Sequence, residues 1–310
     1  MKVLVGVDGS SNSFAAVEFA GRLLSPERDQ LVLLFATPTI SFEDERLDPA
    51  IEERARSVLS RTVLDAALER LPAAWRQQAT TRDVAGSASS RLLEAIDAEQ
   101  ADLIALGFRG TSGMLEEFVL GSVSRTIAHS AKVPVLVVKS APASDEPVKQ
   151  SPGPVTRHVH VLIAIDDPKF AERAASLLKQ FSWPPETRGW ALTVVRPMFV
   201  TDLPDWVKIE RNPDVATMAA AWEVEHQQNL LAAGNELDKF RGQLPACFTN
   251  EELIVAEGRP AEEILAQVRE KAIDLVVMGS RDIGSLKRLM LGSTSEQVLR
   301  EAPCSVLIVR

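Results

Sequence analysis

The sequence predicts an α/β protein built from two similar open parallel-sheet domains, each with five strands and with helices on both faces of its sheet. Three observations predict this class. Short apolar runs alternate with longer amphipathic stretches, the apolar runs lack internal polar alternation, and a long stretch near residue 103 recurs near residue 275. The chain has 310 residues, which is enough for two domains of roughly 150 residues each.

The recurring stretch is the most informative of the three observations. Residues 103–139 and 275–310 both read as an apolar run, a glycine-bearing loop, a Gly-Ser pair, a helical stretch and a closing valine-rich run. Each copy ends its half of the chain, which indicates one domain present twice. We therefore predict domains at residues 1–139 and 158–310. The linker between them, 140–157, is rich in proline and serine and has no apolar periodicity.

The first half alternates strand and helix patterns. Its predicted strands are Val3–Val7, Leu31–Ala36, Thr80–Ala85, Leu103–Leu106 and Val133–Val138. Its predicted helices are Ser11–Leu24, Pro49–Leu71, Ser87–Ala98 and Ser122–Ser130. Continuously apolar strands separated by amphipathic helices predict a parallel sheet that is covered on both faces.

The second half repeats this order. Its predicted strands are Val159–Ile165, Trp190–Val195, Leu253–Ala256, Leu275–Met278 and Ser305–Val309. Its predicted helices are Val215–Phe240, Ala261–Lys271 and Thr294–Glu301. An aspartate follows the first strand of each half, so Asp8 and Asp166 hold equivalent positions.

Composition narrows the functional classes. The net charge of −9 argues against a nucleic acid or an anionic membrane surface as the main partner. The two cysteines, Cys247 and Cys304, do not make a disulfide framework, and we expect Cys304 to be a buried thiol. No apolar stretch of the sequence approaches the ~20 residues of a membrane span, and the first apolar run is too short for a signal peptide. We expect a cytoplasmic protein.

Several catalytic and metal-binding patterns are missing from the sequence. It holds neither a P-loop nor a G-x-G-x-x-G after the first strand, its four histidines are scattered, and no Cys/His set has zinc spacing. His129 fits a partly exposed helix residue better than a proton shuttle. No Ser/His/Asp set can be assembled from spacing. We therefore predict no catalytic residue and no metal site.

A glycine-bearing loop before a helix is typical of a phosphate site. Gly107 ends a predicted strand, Gly110 follows it, and Gly121-Ser122 precedes a helix. Glycine lets the backbone approach a ligand, and the first N–H groups of a helix suit a phosphate. Ser122 and Ser124 add hydroxyl donors. The plainer alternative is that Gly107 and Gly110 are turn glycines and that Ser122 is only an N-cap.

Asp8 ends the first predicted strand. Ligands of open α/β sheets bind beyond the carboxyl ends of the strands, where the strand order reverses. If the first and fourth strands are neighbours, Asp8 and Gly107 flank one crevice, and a carboxylate there suits a ribose hydroxyl or a base amine. The alternative is that Asp8 caps the helix beginning near Ser11. The joint placement of these residues favours a nucleotide site in the first half.

Three pieces of the sequence together resemble a known family. The start VLVGVDGS, the pattern G-x2-G-x9-G-[ST] after the fourth strand, and the closing PVLVV or SVLIV are similar to universal stress proteins of the tandem-domain kind. The resemblance covers both halves apart from the linker and the loops around 38–48 and 197–213. It implies strand order 3-2-1-4-5 in each half, and a family in which one branch binds ATP.

The resemblance also implies the nucleotide contacts. In the first half they are Asp8, Ala36 and Leu106 for adenosine, and Gly107, Gly110, Gly121, Ser122 and Val123, beside Ser124, for ribose and phosphate. The matching positions of a weaker second site are Asp166, Val195, Met278, Gly279, Asp282, Gly292, Ser293 and Thr294.

Both copies depart from the family pattern. The first has ten residues between Gly110 and Gly121 where the pattern has nine, so we expect a bulge that keeps the loop amides. The second keeps nine residues but places Asp282 at the middle glycine, and a carboxylate there repels phosphates unless a metal bridges them. We therefore expect ATP, with or without Mg²⁺, mainly in the first half.

The predicted role is regulatory, in a stress response, with an unknown protein partner and at most slow ATPase activity. The last strand of each half would lie at a sheet edge, and in the family these edges meet across a two-fold axis, so we expect an intrachain pseudo-dimer. A further homodimer stays open. The alternative function is a nucleotide-free tandem scaffold that binds a ligand or a protein through degenerate sites. A related nucleotide hydrolase or flavoprotein is a weaker third alternative.

Overall fold

The computed structural model describes residues 1–37, 49–110, 120–140, 159–197, 213–249, 251–280 and 291–310. The strands are β1 (Lys2–Val7), β2 (Gln30–Thr37), β3 (Thr80–Ala85), β4 (Leu103–Gly107), β5 (Val135–Val138), β6 (His160–Ile165), β7 (Arg188–Val195), β8 (Leu253–Glu257), β9 (Leu275–Gly279) and β10 (Ser305–Val309). The helices are α1 (Ser11–Leu23), α2 (Pro49–Arg70), α3 (Ala88–Ala98), α4 (Ser122–Ser130), α5 (Pro168–Leu178), α6 (Pro213–Arg241), α7 (Pro260–Glu270) and α8 (Ser293–Glu301).

The strands form one sheet in the order β3-β2-β1-β4-β5-β10-β9-β6-β7-β8. Each half therefore has the predicted order 3-2-1-4-5, and the neighbours within a half pair in parallel. β5 and β10 pair antiparallel, which joins the halves into a single ten-stranded sheet. The predicted fold class and the intrachain pairing of the two last strands are confirmed.

Alternation along the strands sends side chains to two separate cores. Val3 and Val5 point to one face of the sheet, whereas Leu4 points to the other. Helices α1, α2, α5 and α6 cover the first face, and α3, α4, α7 and α8 cover the second. Each core contains residues of both halves, so the two domains share their packing as well as their sheet.

Some element boundaries differ from the prediction. Helix α5 was not predicted, although its buried side has helical spacing; three of the six residues on that side are the small residues Ala171, Ala174 and Ala175. β5 begins at Val135 rather than Val133, since Pro134 has no N–H to give to the sheet. The predicted linker lies, apart from Ser140, outside the described residues. In the described part of the chain, no helix is long and apolar enough to cross a membrane.

Candidate functional site

The candidate site lies where β1 and β4 run side by side. Val5 of β1 is opposite Ala105 of β4. Helix α1, which follows β1, covers one face of the sheet, and α4, which follows β4, covers the other. This is the point where the strand order reverses and where open sheets leave a crevice at their carboxyl ends. Asp8 follows β1 and Gly107 ends β4, at the same edge of the sheet.

Asp8 touches the loop that follows β4. Its Oδ1 accepts a hydrogen bond from the amide of Ser10 at 3.0 Å. Its Oδ2 lies against Gly110 so closely that a Cβ added to that glycine would overlap the carboxylate. A side chain at position 110 would therefore displace the Asp8 carboxylate from its present place.

Ser10 caps helix α1 and also ties the loop to it. The Ser10 Oγ accepts from the amide of Ser13 at 3.1 Å and donates to the carbonyl of Arg109 at 3.1 Å. The amide of Asp8 in turn donates to the hydroxyl of Ser13 at 3.3 Å. The alternative in which Asp8 caps this helix is thus wrong, because Ser10 does so.

Gly107 and Ser124 hold the end of β4 in place. A Cβ at Gly107 would lie 2.6 Å from backbone atoms of Asn12 and Ser13, so glycine here lets α1 pack on the strand. Ser124 is buried, and its hydroxyl donates to the carbonyl of Gly107 at 2.6 Å. We expected Ser124 to offer a hydroxyl donor to phosphate. The structure corrects this expectation, because the proton of that hydroxyl is already used inside the fold.

Two of the loop amides are also used internally. The amide of Phe108 donates to the carbonyl of Val138 at 2.7 Å, and the amide of Gly121 donates to the carbonyl of Phe108 at 2.9 Å. Gly121 is the N-cap of α4, so Ser122 is the first helical residue and not the cap. Since Gly121 has no side chain, it offers no capping acceptor to the first-turn amides of Ser122 and Val123.

Two of the residues implied for adenosine, Leu106 and Ala36, belong to one core. Leu106 is buried beside Gly6, and Ala36 is half-buried at the rim of that core, as is Val123, which the resemblance implies for ribose and phosphate. This core lies on the face covered by α3 and α4. Residues 111–119, which include most of the extra-long loop, lie outside the described residues.

The second half has a cleft at the equivalent place. It contains ≈ 530 Å³ of empty space, part of which is open solvent at its mouth. Of the predicted second-site residues, Val195 and Ser293 do not line this cleft. The five that do line it are Asp166, Met278, Gly279, Gly292 and Thr294. The remaining wall residues are Ala164, Ile165, Leu192, Val194, Pro260, Ile264 and Ser295. Asp282 lies outside the described residues.

Two hydrogen bonds of the second half are equivalent to hydrogen bonds of the first half. Asp167 caps α5, accepting from the amide of Phe170 at 2.9 Å, as Ser10 caps α1. Ser295 donates to the carbonyl of Gly279 at 2.6 Å, as Ser124 does to Gly107. The additional acidic residue that follows Asp166 is therefore a helix cap. Among the described residues, no three His, Cys, Asp or Glu side chains are grouped as a metal site requires.

Sequence reasoning missed the wall that α7 contributes. Pro260 and Ile264 line the cleft beside Leu192 of β7. These residues are distant in sequence from every motif, and they meet only because α7 packs across β7 and β6. The signal available in the sequence was the amphipathic pattern of α7, which shows that the helix packs but not where.

Comparison with known proteins decides the family. The sequence model of the universal stress protein family matches residues 1–139 and again residues 159–310. The chain belongs to the universal stress protein family. This universal stress protein carries the family domain twice, in agreement with the repeat and the ten-stranded sheet.

Relatives of two lengths match this universal stress protein. One from Mycolicibacterium smegmatis is 25% identical over 322 residues, covering 99% of this chain and 96% of the relative. One from Thermus aquaticus is 34% identical over 153 residues, covering 48% of this chain and 97% of the relative. The crystal structure of a universal stress protein from Archaeoglobus fulgidus shares the fold, with TM-score 0.58, 23% identity, and coverage of 100% of this chain and 96% of that one.

Proposed function

We propose that this universal stress protein binds ATP in its first half, in the crevice between the ends of β1 and β4, and that bound ATP shifts a conformational or partner equilibrium. The contact of the Asp8 carboxylate with Gly110, beside the amino end of α4, carries the proposal. It brings an acceptor suited to a ribose or a base next to a helix end suited to phosphate. We further propose a cytoplasmic role in a stress response, without a nucleic-acid or membrane partner.

The choice of the first half rests on charge. Gly110 stands where the second copy has Asp282, so the first half has one carboxylate fewer to repel a triphosphate, although Asp8 lies beside this glycine. The first-turn amides of α4 follow a glycine cap and are directed away from the helix body. No base is positioned for hydrolysis among the described residues, and we expect turnover of ATP to be slow or nil.

Calorimetric titration of the full chain with Mg²⁺ and ATP tests this proposal. We expect one saturable site below millimolar ATP. Gly121→Val places a branched side chain at the amino end of α4 and should abolish it. The matched variant Gly292→Val, at the start of α8, should leave it intact, and circular dichroism checks that both variants are folded. The absence of saturable heat in the wild type would overturn the proposal. Loss of ATP binding only in Gly292→Val would assign the nucleotide site to the second half.

The cleft of the second half supports a second candidate function. Its walls are mostly apolar, and Asp166 and Thr294 supply polar groups. This combination suits a ring-bearing ligand without phosphates that donates a hydrogen bond to the Asp166 carboxylate. Adenosine is a suitable probe, because it keeps the ring and the ribose and lacks the negative charge. Binding of adenosine that survives Gly121→Val and is lost in Ile264→Trp would support this function, and loss in neither variant would exclude the cleft.

A further inference from the structure

The two halves are joined by equivalent strands in a symmetric register. Leu136 of β5 lies opposite Leu307 of β10. The repeat aligns these leucines, since each is the third residue of its closing run, PVLVVK or SVLIVR. A pseudo-two-fold axis therefore passes through this pair, and a residue that crosses the axis from one half has a counterpart that crosses from the other.

Each half ends in a basic residue that reaches across this axis. Lys139, after β5, donates from Nζ to the carbonyl of Arg300 at 3.2 Å and to that of Ala302. Arg310, after β10, donates from Nη2 to the carbonyl of Ala128. These carbonyls belong to the carboxyl ends of α8 and α4, where partners within the helix are lacking and where the dipole favours a cation. The two side chains are reciprocal caps.

The capped helices are the two that begin at the candidate sites. α4 starts after Gly121 and α8 after Gly292, and each has nine residues, a length of about 13 Å. One short helix thus separates each cap from the site at the other end. The helices also contact each other directly, because Glu296 Oε1 lies 3.6 Å from Arg125 Nη2 and 3.9 Å from His129 Nε2.

Lys139 also touches the loop of the first site. Its Nζ lies 3.9 Å from the centre of the Phe108 ring, an arrangement that favours the cation. Phe108 follows Gly107, and its carbonyl accepts from the amide of Gly121. A continuous line of contacts therefore runs from the loop of the first site through Lys139 to the carboxyl end of α8 and to the second site.

From these contacts we propose that Lys139 and Arg310 are positioning residues that couple the two candidate sites of one chain. Each fixes, from the opposite half, the helix whose amino end belongs to the other half's site. A ligand that orders the loop around Phe108 thereby steadies α8, and the effect is reciprocal at equilibrium. The nature of the ligand rests on the proposed function, whereas the reciprocal caps do not.

Hydrogen exchange of the full chain at pH 7 without ligand tests the caps. Lys139→Met should speed exchange in the last turn of α8 by roughly threefold to tenfold and leave α4 unchanged, and Arg310→Met should do the reverse. Lys139→Arg and Arg310→Lys keep a donor and should restore slow exchange. Equal acceleration of both helices in both variants, or no acceleration, overturns the proposal.

The link between the sites has its own test, which also needs no nucleotide. Phe108→Leu removes the ring beneath Lys139 in the first half, and we expect faster exchange in α8 of the second half, with α7 unchanged as an internal control. Unchanged exchange in α8 overturns the coupling.

Mg²⁺ and ATP provide a second measurement of the coupling. In the wild type, ATP should protect α8, and this protection should be lost in Lys139→Met. ATP that binds without protecting α8 overturns the coupling and leaves the proposed function standing. If ATP does not bind, the proposed function fails, and the Phe108→Leu experiment still decides the coupling.

Discussion

The glycines of the first-half loop have different neighbours. Gly110 makes room for the carboxylate of Asp8, and Gly107 makes room for the backbone of α1. Gly121 has more space, since the atom nearest to an added Cβ, the Phe108 carbonyl oxygen, is 3.3 Å away. The sequence pattern groups these glycines as one phosphate motif, but their surroundings in the fold differ, and Gly121 is the least crowded of the three.

This difference predicts unequal costs for two equivalent alanine substitutions. Gly107→Ala should lower the free energy of unfolding by about 2 kcal/mol, because backbone atoms of α1 must move. At the equivalent Gly279, the nearest atom to a Cβ is in the Phe170 ring at 3.0 Å, and a side chain yields more easily. Gly279→Ala should therefore cost clearly less. Urea unfolding followed by tryptophan fluorescence measures both, and equal costs would contradict the contacts of Gly107.

Lys139 and Cys304 affect each other's pKa at the junction of the halves. Burial is the largest cause that lowers the pKa of Lys139 from 10.5 to about 8. The Cys304 thiol raises this pKa, and the charge of Arg109 lowers it further. Burial raises the pKa of Cys304 from 9.0 to about 12, partly offset by Lys139. Cys304 is buried as predicted from its apolar surroundings.

These pKa values predict a specific dependence of stability on pH. Above about pH 8 the folded chain loses the Lys139 proton, whereas the unfolded chain keeps it up to about pH 10.5. The free energy of unfolding therefore rises with pH in this interval. Above 9.0 the unfolded chain loses the Cys304 proton that the folded chain keeps, which removes stability. We expect the free energy of unfolding to rise between pH 8 and 9. Lys139→Met should abolish this rise, whereas the control Lys132→Met, at an exposed residue, should retain it. Urea unfolding at pH 7, 8 and 9 measures it, and the same profile in Lys139→Met would be contrary to this account.

At the scale of elements, the helices differ in how they begin. α1 and α5 begin with side-chain caps, Ser10 and Asp167, whereas α4 and α8 begin after glycines. Each of these caps accepts from one first-turn amide of its own helix, that of Ser13 in α1 and that of Phe170 in α5. The glycine-started helices leave that task to another group, which is the condition for binding an anion.

The caps predict which serine matters for stability. Ser10→Ala should lower the free energy of unfolding by about 1–2 kcal/mol, because the α1 cap and the bond to the Arg109 carbonyl are both lost. Ser87 is also an N-cap residue, at α3, but its hydroxyl lies 3.3 Å from the Ser89 hydroxyl instead of accepting from the helix. Ser87→Ala is the control and should cost much less. Chemical denaturation of the two variants distinguishes them, and similar losses would argue against the cap.

The sequence predicted the site better at its strand ends than at its walls. Asp8, Gly107 and Gly110 were placed together because parallel strands end at one edge of the sheet, which a repeating strand–helix pattern already implies. The hydroxyl of Ser124 was misassigned, since its bond to Gly107 depends on how α4 packs against β4. Pro260 and Ile264 were missed for the same reason, because helix packing is decided by contacts between distant segments.

For the whole molecule, the fold class and the strand order followed from the repeat and the family resemblance. The meeting of β5 and β10 was also expected, because an apolar edge strand invites pairing and the resemblance implies that these edges meet. The antiparallel direction of the pair is a finding of the structure. The reciprocal caps were not predicted: Lys139 and Arg310 look like ordinary basic residues after a strand, and only the symmetric register brings them to the opposite helices.

The shared sheet and cores predict that the two halves stay together without a covalent connection. A protease site placed within residues 141–158 of the full chain, cut after folding, should leave a complex of both halves at micromolar concentration. The central strand pair and the two common cores hold it. Size-exclusion chromatography or native mass spectrometry measures the mass, and separation into two species would mean that the chain connection is needed.

The pairing of β5 with β10 has a consequence for how this protein can change over time. Two identical subunits that associate through one strand must share every mutation, so neither site can be altered alone. Here the partners are encoded side by side and always meet in a ratio of one to one. Either half can therefore change without the other, and the two halves do differ in sequence at one equivalent position, with glycine at 110 and aspartate at 282.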